Sequence, residues 1–291
     1  MHATVERYER PMRELKLARR EARPEGTVVR LRNGAAFGGA ALAICAGPCA
    51  VESHEQIEAT ASAVARAGAN VLRGGAFKPR TSPYAFQGLR REGLELLRAA
   101  ADRHGLAAVT EVLDPRDVEP VASYADMLQI GSRNMQNFAL LKEVGLSGKP
   151  VLLKRGFAAT VDEWLMAAEY VLAEGNPNVV LCERGVRSFD AATRNLLDLA
   201  VVPLLAELTH LPVIVDPSHG TGLARLVEPM ALAGVAAGAD GVLVEVHPDP
   251  ASAVSDGPQS ITFDRFGALV ARIAEIAVAV GRRLPAAGLA V

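Results

Sequence analysis

Two sets of residues in this chain have the types and spacing to do chemistry. One is cationic: Arg73, Lys78, Arg80, Arg133, Lys154, Arg155, Arg184 and Arg187 each end or follow a short apolar run. Arginine's planar fork matches carboxylate and phosphate, while lysine adds a point charge that can also move a proton. A small polyanion carrying two phosphates and a carboxylate would satisfy such a set. Any one of these residues alone reads as an ordinary solvated cation; their succession at run ends makes them a group. Arg155 and Arg187 each neighbour a better-placed cation, so their membership stays open. The second set is Cys49, His219, Glu245 and Asp256, a mixed S/N/O donor group able to hold one divalent ion (Mn²⁺, Co²⁺, Fe²⁺, Zn²⁺ or similar). Such an ion acts as a Lewis acid on an aldehyde oxygen. No local zinc pattern joins the four, and Cys49 by itself reads more readily as a small buried residue than as a ligand. Cys45 and Cys182, inside apolar runs, read as core. His247, two residues past Glu245, competes with it as a second-layer or surface group, and His54, His104 and His210 fall in helix or loop contexts.

The elements that must position these residues are legible from residue 43 onward. Eight short apolar runs, 43–46, 70–74, 107–112, 127–130, 151–154, 179–183, 213–216 and 241–246, alternate with helix-length segments. Several runs are too uniformly apolar for a half-solvated strand, which predicts a parallel sheet covered on both faces. Segment 88–103 has helical spacing, with Leu89, Leu94, Leu96 and Leu97 on the packing side and Arg90, Arg91 and Arg98 on the wet side. Strands and helices in strict alternation, eight of each, predict a closed (β/α)8 TIM barrel, whose chemistry sits at the carboxyl ends of the strands. Before the barrel, alternating Val28, Val29 and Leu31 around Arg32-Asn33-Gly34 predict a β-hairpin over 27–39 that plugs the barrel floor. Residues 1–24 read as a charged helix. The expected organisation is a charged extension over 1–26, a catalytic barrel with its hairpin over 27–283, and a tail over 284–291.

Composition narrows the function classes. The chain has 291 residues, half of them hydrophobic, and a formal net charge of −2, so anion binding must be local and no global basic field points to nucleic acid or an anionic membrane. No run is long enough to span a bilayer, and the charged N-terminus is not signal-like, which predicts a soluble cytoplasmic protein. Three cysteines without a CxxC pair argue against structural disulfides.

The motifs resemble those of a family, the 3-deoxy-D-arabino-heptulosonate 7-phosphate synthases of type I beta. The matching stretches are Ala46-Gly47-Pro48-Cys49-Ala50-Val51-Glu52-Ser53, Arg73-Gly74-Gly75-Ala76-Phe77-Lys78-Pro79-Arg80-Thr81-Ser82, Gly131-Ser132-Arg133-Asn134-Met135-Gln136-Asn137, Leu153-Lys154-Arg155-Gly156, Cys182-Glu183-Arg184-Gly185, Asp216-Pro217-Ser218-His219 and Ser255-Asp256-Gly257. The likeness runs from about residue 27 to 283. It implies the first reaction of the shikimate pathway, which leads through chorismate to the aromatic amino acids: phosphoenolpyruvate, erythrose 4-phosphate and water give the heptulosonate 7-phosphate and phosphate. It further implies that Cys49, His219, Glu245 and Asp256 are metal ligands, and that Arg73, Lys78, Arg133, Lys154 and Arg184 clamp phosphoenolpyruvate. Arg80 and Thr81 are placed at the erythrose 4-phosphate end, Glu111 beside a water, and Ser132, where the family pattern has alanine, at the substrate through its backbone amide. Lys78 and Lys154, with Cys49 and His219, are the implied catalytic residues, and either Lys154 or a metal-bound water moves the proton.

The resemblance also carries expectations about assembly: a homo-oligomer, dimer or tetramer, with no nucleic acid or membrane partner. Many relatives carry a fused regulatory or chorismate mutase domain, whereas only a charge-rich segment of about 25 residues precedes the hairpin. Little response to aromatic end products is therefore expected, unless an effector pocket lies at an oligomer interface or a separate regulatory protein docks on the barrel. Three rival readings remain: the related 3-deoxy-octulosonate 8-phosphate synthases, against which Lys78-Pro79-Arg80-Thr81 argues; a heptulosonate synthase of secondary metabolism; and a non-catalytic metabolite-binding barrel.

Overall fold

The computed structural model describes residues 15–78, 82 and 84–284. Arg80 and Thr81 lie outside the described residues, as do residues 1–14 of the charged extension. A two-stranded antiparallel hairpin, β1 (Val29–Arg30) and β2 (Ala36–Phe37), comes first. Its turn is closed by Gly34 at φ 85°, a left-handed conformation natural to glycine. Eight parallel strands follow: β3 (Ala43–Gly47), β4 (Val71–Arg73), β5 (Ala107–Glu111), β6 (Met127–Ile130), β7 (Val151–Lys154), β8 (Val179–Glu183), β9 (Val213–Val215) and β10 (Gly241–Glu245). They form a closed barrel in sequence order, with β10 pairing back onto β3 from Gly241↔Ala43 to Glu245↔Gly47.

The helices between them are α1 (His54–Arg66), α2 (Arg91–Arg103), α3 (Val118–Tyr124), α4 (Phe138–Leu146), α5 (Val161–Ala173), α6 (Val201–Leu208), the single turn α7 (Pro217–Thr221), α8 (Ala224–Ala236) and α9 (Phe263–Ala279). The expected (β/α)8 barrel is the architecture found. No helix of the described residues is long and apolar enough to cross a membrane.

Strand parity divides the core in two. Cys45, Val71, Val109, Met127, Leu152, Val180, Cys182, Ile214 and Leu243 form one buried cluster with Val29, Leu31, Ala35 and Phe37 of the hairpin. The hairpin therefore closes the barrel interior, as the turn signal predicted, and Asn33 hooks it to the strand-entry end by donating to the carbonyls of Asn70 and Gly105. The alternate residues, such as Ile44, Leu72, Ala108 and Leu128, pack with the helices in the other cluster.

Two local expectations need correction. Residues 15–24 hold one 3-10 turn, Arg20–Ala22, instead of an α-helix. Leu15 and Ala18 are buried, and the amides of Lys16, Leu17 and Ala18 donate to the Glu169 carboxylate, so the backbone is held from outside instead of by its own carbonyls. In α2, which begins at Arg91 and not at 88, Arg98 is not on the wet side. It donates to the Tyr124 carbonyl and pairs with Asp126 at 2.7 Å, with 17% of its side chain exposed.

Candidate active site

The inward parity of the barrel, continued one step beyond the apolar layer, places polar residues at the carboxyl end. From Val71, Val109, Met127, Leu152, Cys182, Ile214 and Leu243 the next inward positions are Arg73, Glu111, Gln129, Lys154, Arg184, Asp216 and Glu245. All seven are buried. Five of them, Arg73, Glu111, Gln129, Lys154 and Arg184, line a cavity of about 380 Å³ whose wall also includes Lys78, Ser132, Arg133, His219 and Asp256. Arg73, Lys78, Arg133, Lys154 and Arg184 of the first set thus meet His219 and Asp256 of the second. Arg155 has the opposite parity: it turns toward the helices, pairs with Glu183 and Asp198 at 3.0 Å each, and does not reach the cavity. Arg187 is not part of the wall either.

The donor group is assembled from strand ends and adjoining loops. Asp216 caps α7, accepting from the His219 amide at 3.0 Å, and Pro217 starts that turn. The turn brings the His219 ring back over Asp216, to which Nδ1 is bonded at 2.7 Å. Nε2 is left facing Glu245 Oε1 at 3.3 Å and Asp256 Oδ2 at 3.9 Å. Cys49 Sγ lies 3.3 Å from Asp256 Oδ2, and one donor atom each from Cys49, Glu245 and Asp256 fall within 4.8 Å of one another. Ser218 Oγ accepts from the Glu245 amide, tying the β9 and β10 ends together. Asp256 itself sits in left-handed backbone at φ 54°, ψ 29°.

This chemistry fits a divalent ion. A ligating imidazole ordinarily has its other ring nitrogen held by a carboxylate, as Nδ1 is held here. Burial lowers the His219 pKa against the pull of Asp216 and Glu245, favouring the neutral ring that coordinates a metal. Burial pushes Asp256 up, but His219 and Arg194 hold it at about 2, fully ionised. Burial, then Glu245, pushes the Cys49 thiol up to about 11 despite Lys78, so it needs a further cation to ionise.

Several cations are already engaged. Arg73 Nη1 donates to Glu245 Oε1 at 2.8 Å and to the Pro48 carbonyl, while its buried Nε has no partner. Lys78 Nζ donates to the Cys49 carbonyl at 2.8 Å and lies 3.0 Å from Sγ. Lys154 Nζ pairs with Asp216 Oδ2 at 2.6 Å. Burial would raise the Asp216 pKa, yet His219 and Lys154 hold it well below the usual carboxylate range. Burial does raise Glu111, against Lys78, Lys154, Arg73 and Arg133.

Sequence reading missed Gln129, Asp216 and Arg194 as members of the site. The first two carry a signal, inward parity at a strand end. Arg194 carries none: it lies in an irregular loop, lines the cavity, and reaches Asp256 Oδ1 at 3.4 Å and Gln259 at 2.6 Å. Gln259 in turn donates to Glu245 Oε2 at 2.5 Å. Of the histidines set aside, His247 is buried and pairs with Glu52, and His104 pairs with Glu58.

Residues 26–280 match the family model described as the DAHP synthetase I family. The phospho-2-dehydro-3-deoxyheptonate aldolase of Thermotoga maritima is 50% identical over 277 residues, 95% of this chain and 82% of that protein. Its crystal structure superposes with a TM-score of 0.91, covering 94% of this chain and 79% of the other. The 2-dehydro-3-deoxyphosphooctonate aldolase of Nitrobacter hamburgensis is more distant, at 35% identity over 251 residues, 80% of this chain and 86% of that protein. Barrel, convergent site and relatives agree, and the chain belongs to the DAHP synthetase I family.

Proposed function

We propose that this protein condenses phosphoenolpyruvate with erythrose 4-phosphate and water to give 3-deoxy-D-arabino-heptulosonate 7-phosphate and phosphate, opening the shikimate pathway. C3 of the enol bonds to the aldehyde carbon, a water oxygen adds at C2, and the C2–O bond to phosphate breaks. The observation that carries this reading is the convergence of Arg73, Lys78, Arg133, Lys154 and Arg184 on the same cavity as His219 and Asp256. Membership in the family supports the choice of substrates.

Within that cavity the five cations receive the phosphate and carboxylate of phosphoenolpyruvate, and the unpartnered Nε of Arg73 is a donor ready for an anion. Arg80 and Thr81 serve the aldose phosphate. Cys49, His219, Glu245 and Asp256 would hold one divalent ion, which supplies Lewis-acid polarisation of the aldehyde oxygen. Asp216 orients two residues at once, His219 through Nδ1 and Lys154 through Nζ, which aims the Lys154 side chain into the site. Lys154 is also placed to move a proton. Glu111, whose pKa burial raises against the surrounding cations, holds the water that adds at C2. Ser132 contributes its backbone amide.

The test is phosphate release from phosphoenolpyruvate by purified protein with Mn²⁺, offered erythrose 4-phosphate or arabinose 5-phosphate. Release with the four-carbon sugar is expected; preference for arabinose 5-phosphate would reassign the protein to octulosonate chemistry. Activity should vanish with a strong chelator and return with Mn²⁺ or Co²⁺. Full activity after verified metal removal would refute the metal assignment.

A further inference from the structure

We propose that Phe157 is a positioning residue for phosphoenolpyruvate, its ring holding the guanidiniums of Arg133 and Arg184 in place for the substrate's phosphate without neutralising them. The proposal rests on the reading above only for the identity of the anion. The Phe157 ring lies 4.8 Å from the Arg184 guanidinium, 4.9 Å from that of Arg187 and 5.5 Å from that of Arg133. It also lines the cavity. These cations differ from the others in how they are held. Arg73 and Lys154 are paired with Glu245 and Asp216, whereas Arg133, Arg184 and Arg187 make no ion pair with a carboxylate among the described residues. Among the described residues Arg184, although 2% exposed, donates only to the Gly185 carbonyl, at 3.3 Å.

A carboxylate at this spot would steady the arginines but compete with the incoming phosphate for the same N–H donors. An aromatic face attracts cations through its quadrupole and accepts no strong hydrogen bond, so the forks stay open. The ring also spans the architecture: Arg133 follows β6, Phe157 follows β7, and Arg184 and Arg187 follow β8. Its backbone is fixed on both sides. The Phe157 carbonyl accepts from the Arg187 amide at 2.6 Å, and the neighbouring Gly156 amide donates to Met135 Sδ at 3.1 Å. A ring so anchored determines where three mutually repelling charges come to rest.

The experiment compares Phe157→Leu, which keeps bulk and apolarity but removes the quadrupole, with Phe157→Tyr, which keeps it. Phosphoenolpyruvate binding is measured by calorimetry on the metal-loaded protein, and steady-state constants are measured for both substrates. Phe157→Leu should weaken phosphoenolpyruvate binding and raise its KM about tenfold, with kcat and the KM for erythrose 4-phosphate within about twofold. Phe157→Tyr should stay within about threefold of the parent. Unchanged phosphoenolpyruvate affinity in Phe157→Leu, or equal losses in both variants, would overturn the proposal. If Phe157→Leu melts early, Phe157→Met replaces it with the same expectations. Because calorimetry does not need turnover, a parent protein that binds phosphoenolpyruvate yet releases no phosphate would sink the proposed reaction while leaving this comparison decisive.

Discussion

Gly131 directly follows β6 beside Glu111, and a β-carbon there would overlap the Glu111 carboxylate. The position is glycine because the neighbouring strand's acid needs its space. Gly131→Ala should therefore displace Glu111, cost about 1–3 kcal/mol in urea unfolding, and lower kcat; a variant with parental stability and rate would show that the carboxylate has room to spare. The thiols give a sharper contrast. Cys45, Cys49 and Cys182 are all buried, but only Cys49 meets the carboxylates of Glu245 and Asp256. Cys49→Ser should lose bound metal at least tenfold more readily than Cys45→Ser or Cys182→Ser, read by metal content after dialysis. Equal retention would mean the wrong thiol has been chosen. Cys49 was singled out in the sequence by its place after an apolar run, a cue that also found His219 and Glu245. Asp216 escaped because it was read as one letter of a motif, and its double contact with Lys154 and His219 depends on a turn whose path no spacing rule gives.

At the scale of elements, all eight barrel strands were legible, because parallel strands buried on both faces leave uninterrupted apolar runs. The segment before the hairpin was not. Its charge pattern suggests a helix, yet residues 15–18 are fastened to the barrel by Glu169 and His210, partners more than 150 residues away. Such tertiary contacts outweigh propensity. His210 bonds Leu17 O through Nε2 and Thr27 Oγ1 through Nδ1, an arrangement suited to a neutral ring donating from one nitrogen and accepting at the other. Burial, with Arg23 and Arg20, lowers its pKa below the ordinary value. The unfolded chain then binds the proton more tightly, so this contribution is complete above about pH 6.5 and is lost as pH falls below it. Hydrogen exchange at the amides of Lys16, Leu17 and Ala18 should accelerate by several-fold relative to intrinsic rates between pH 7.5 and 5.5. The pH dependence should disappear in His210→Gln; if it persists there, another group is responsible.

The whole molecule divides its tasks between the two ends of the barrel. The hairpin fills the strand-entry end with Phe37, which is fully buried, and the polar layer occupies the other. Phe37→Ala should cost about 3–5 kcal/mol in denaturant unfolding while kcat per folded molecule stays within about twofold. A large fall in kcat would show that the ends are mechanically coupled. Asp256 shows the opposite bias. Its left-handed backbone is costly for any residue with a β-carbon, and its carboxylate stands beside that of Glu245. Asp256→Gly should make the metal-stripped protein as stable as the parent or more so, by up to about 1 kcal/mol, and leave it unable to turn over substrate. Glycine at 256 is what endurance alone would favour; the aspartate there gives up backbone ease for a carboxylate at the site.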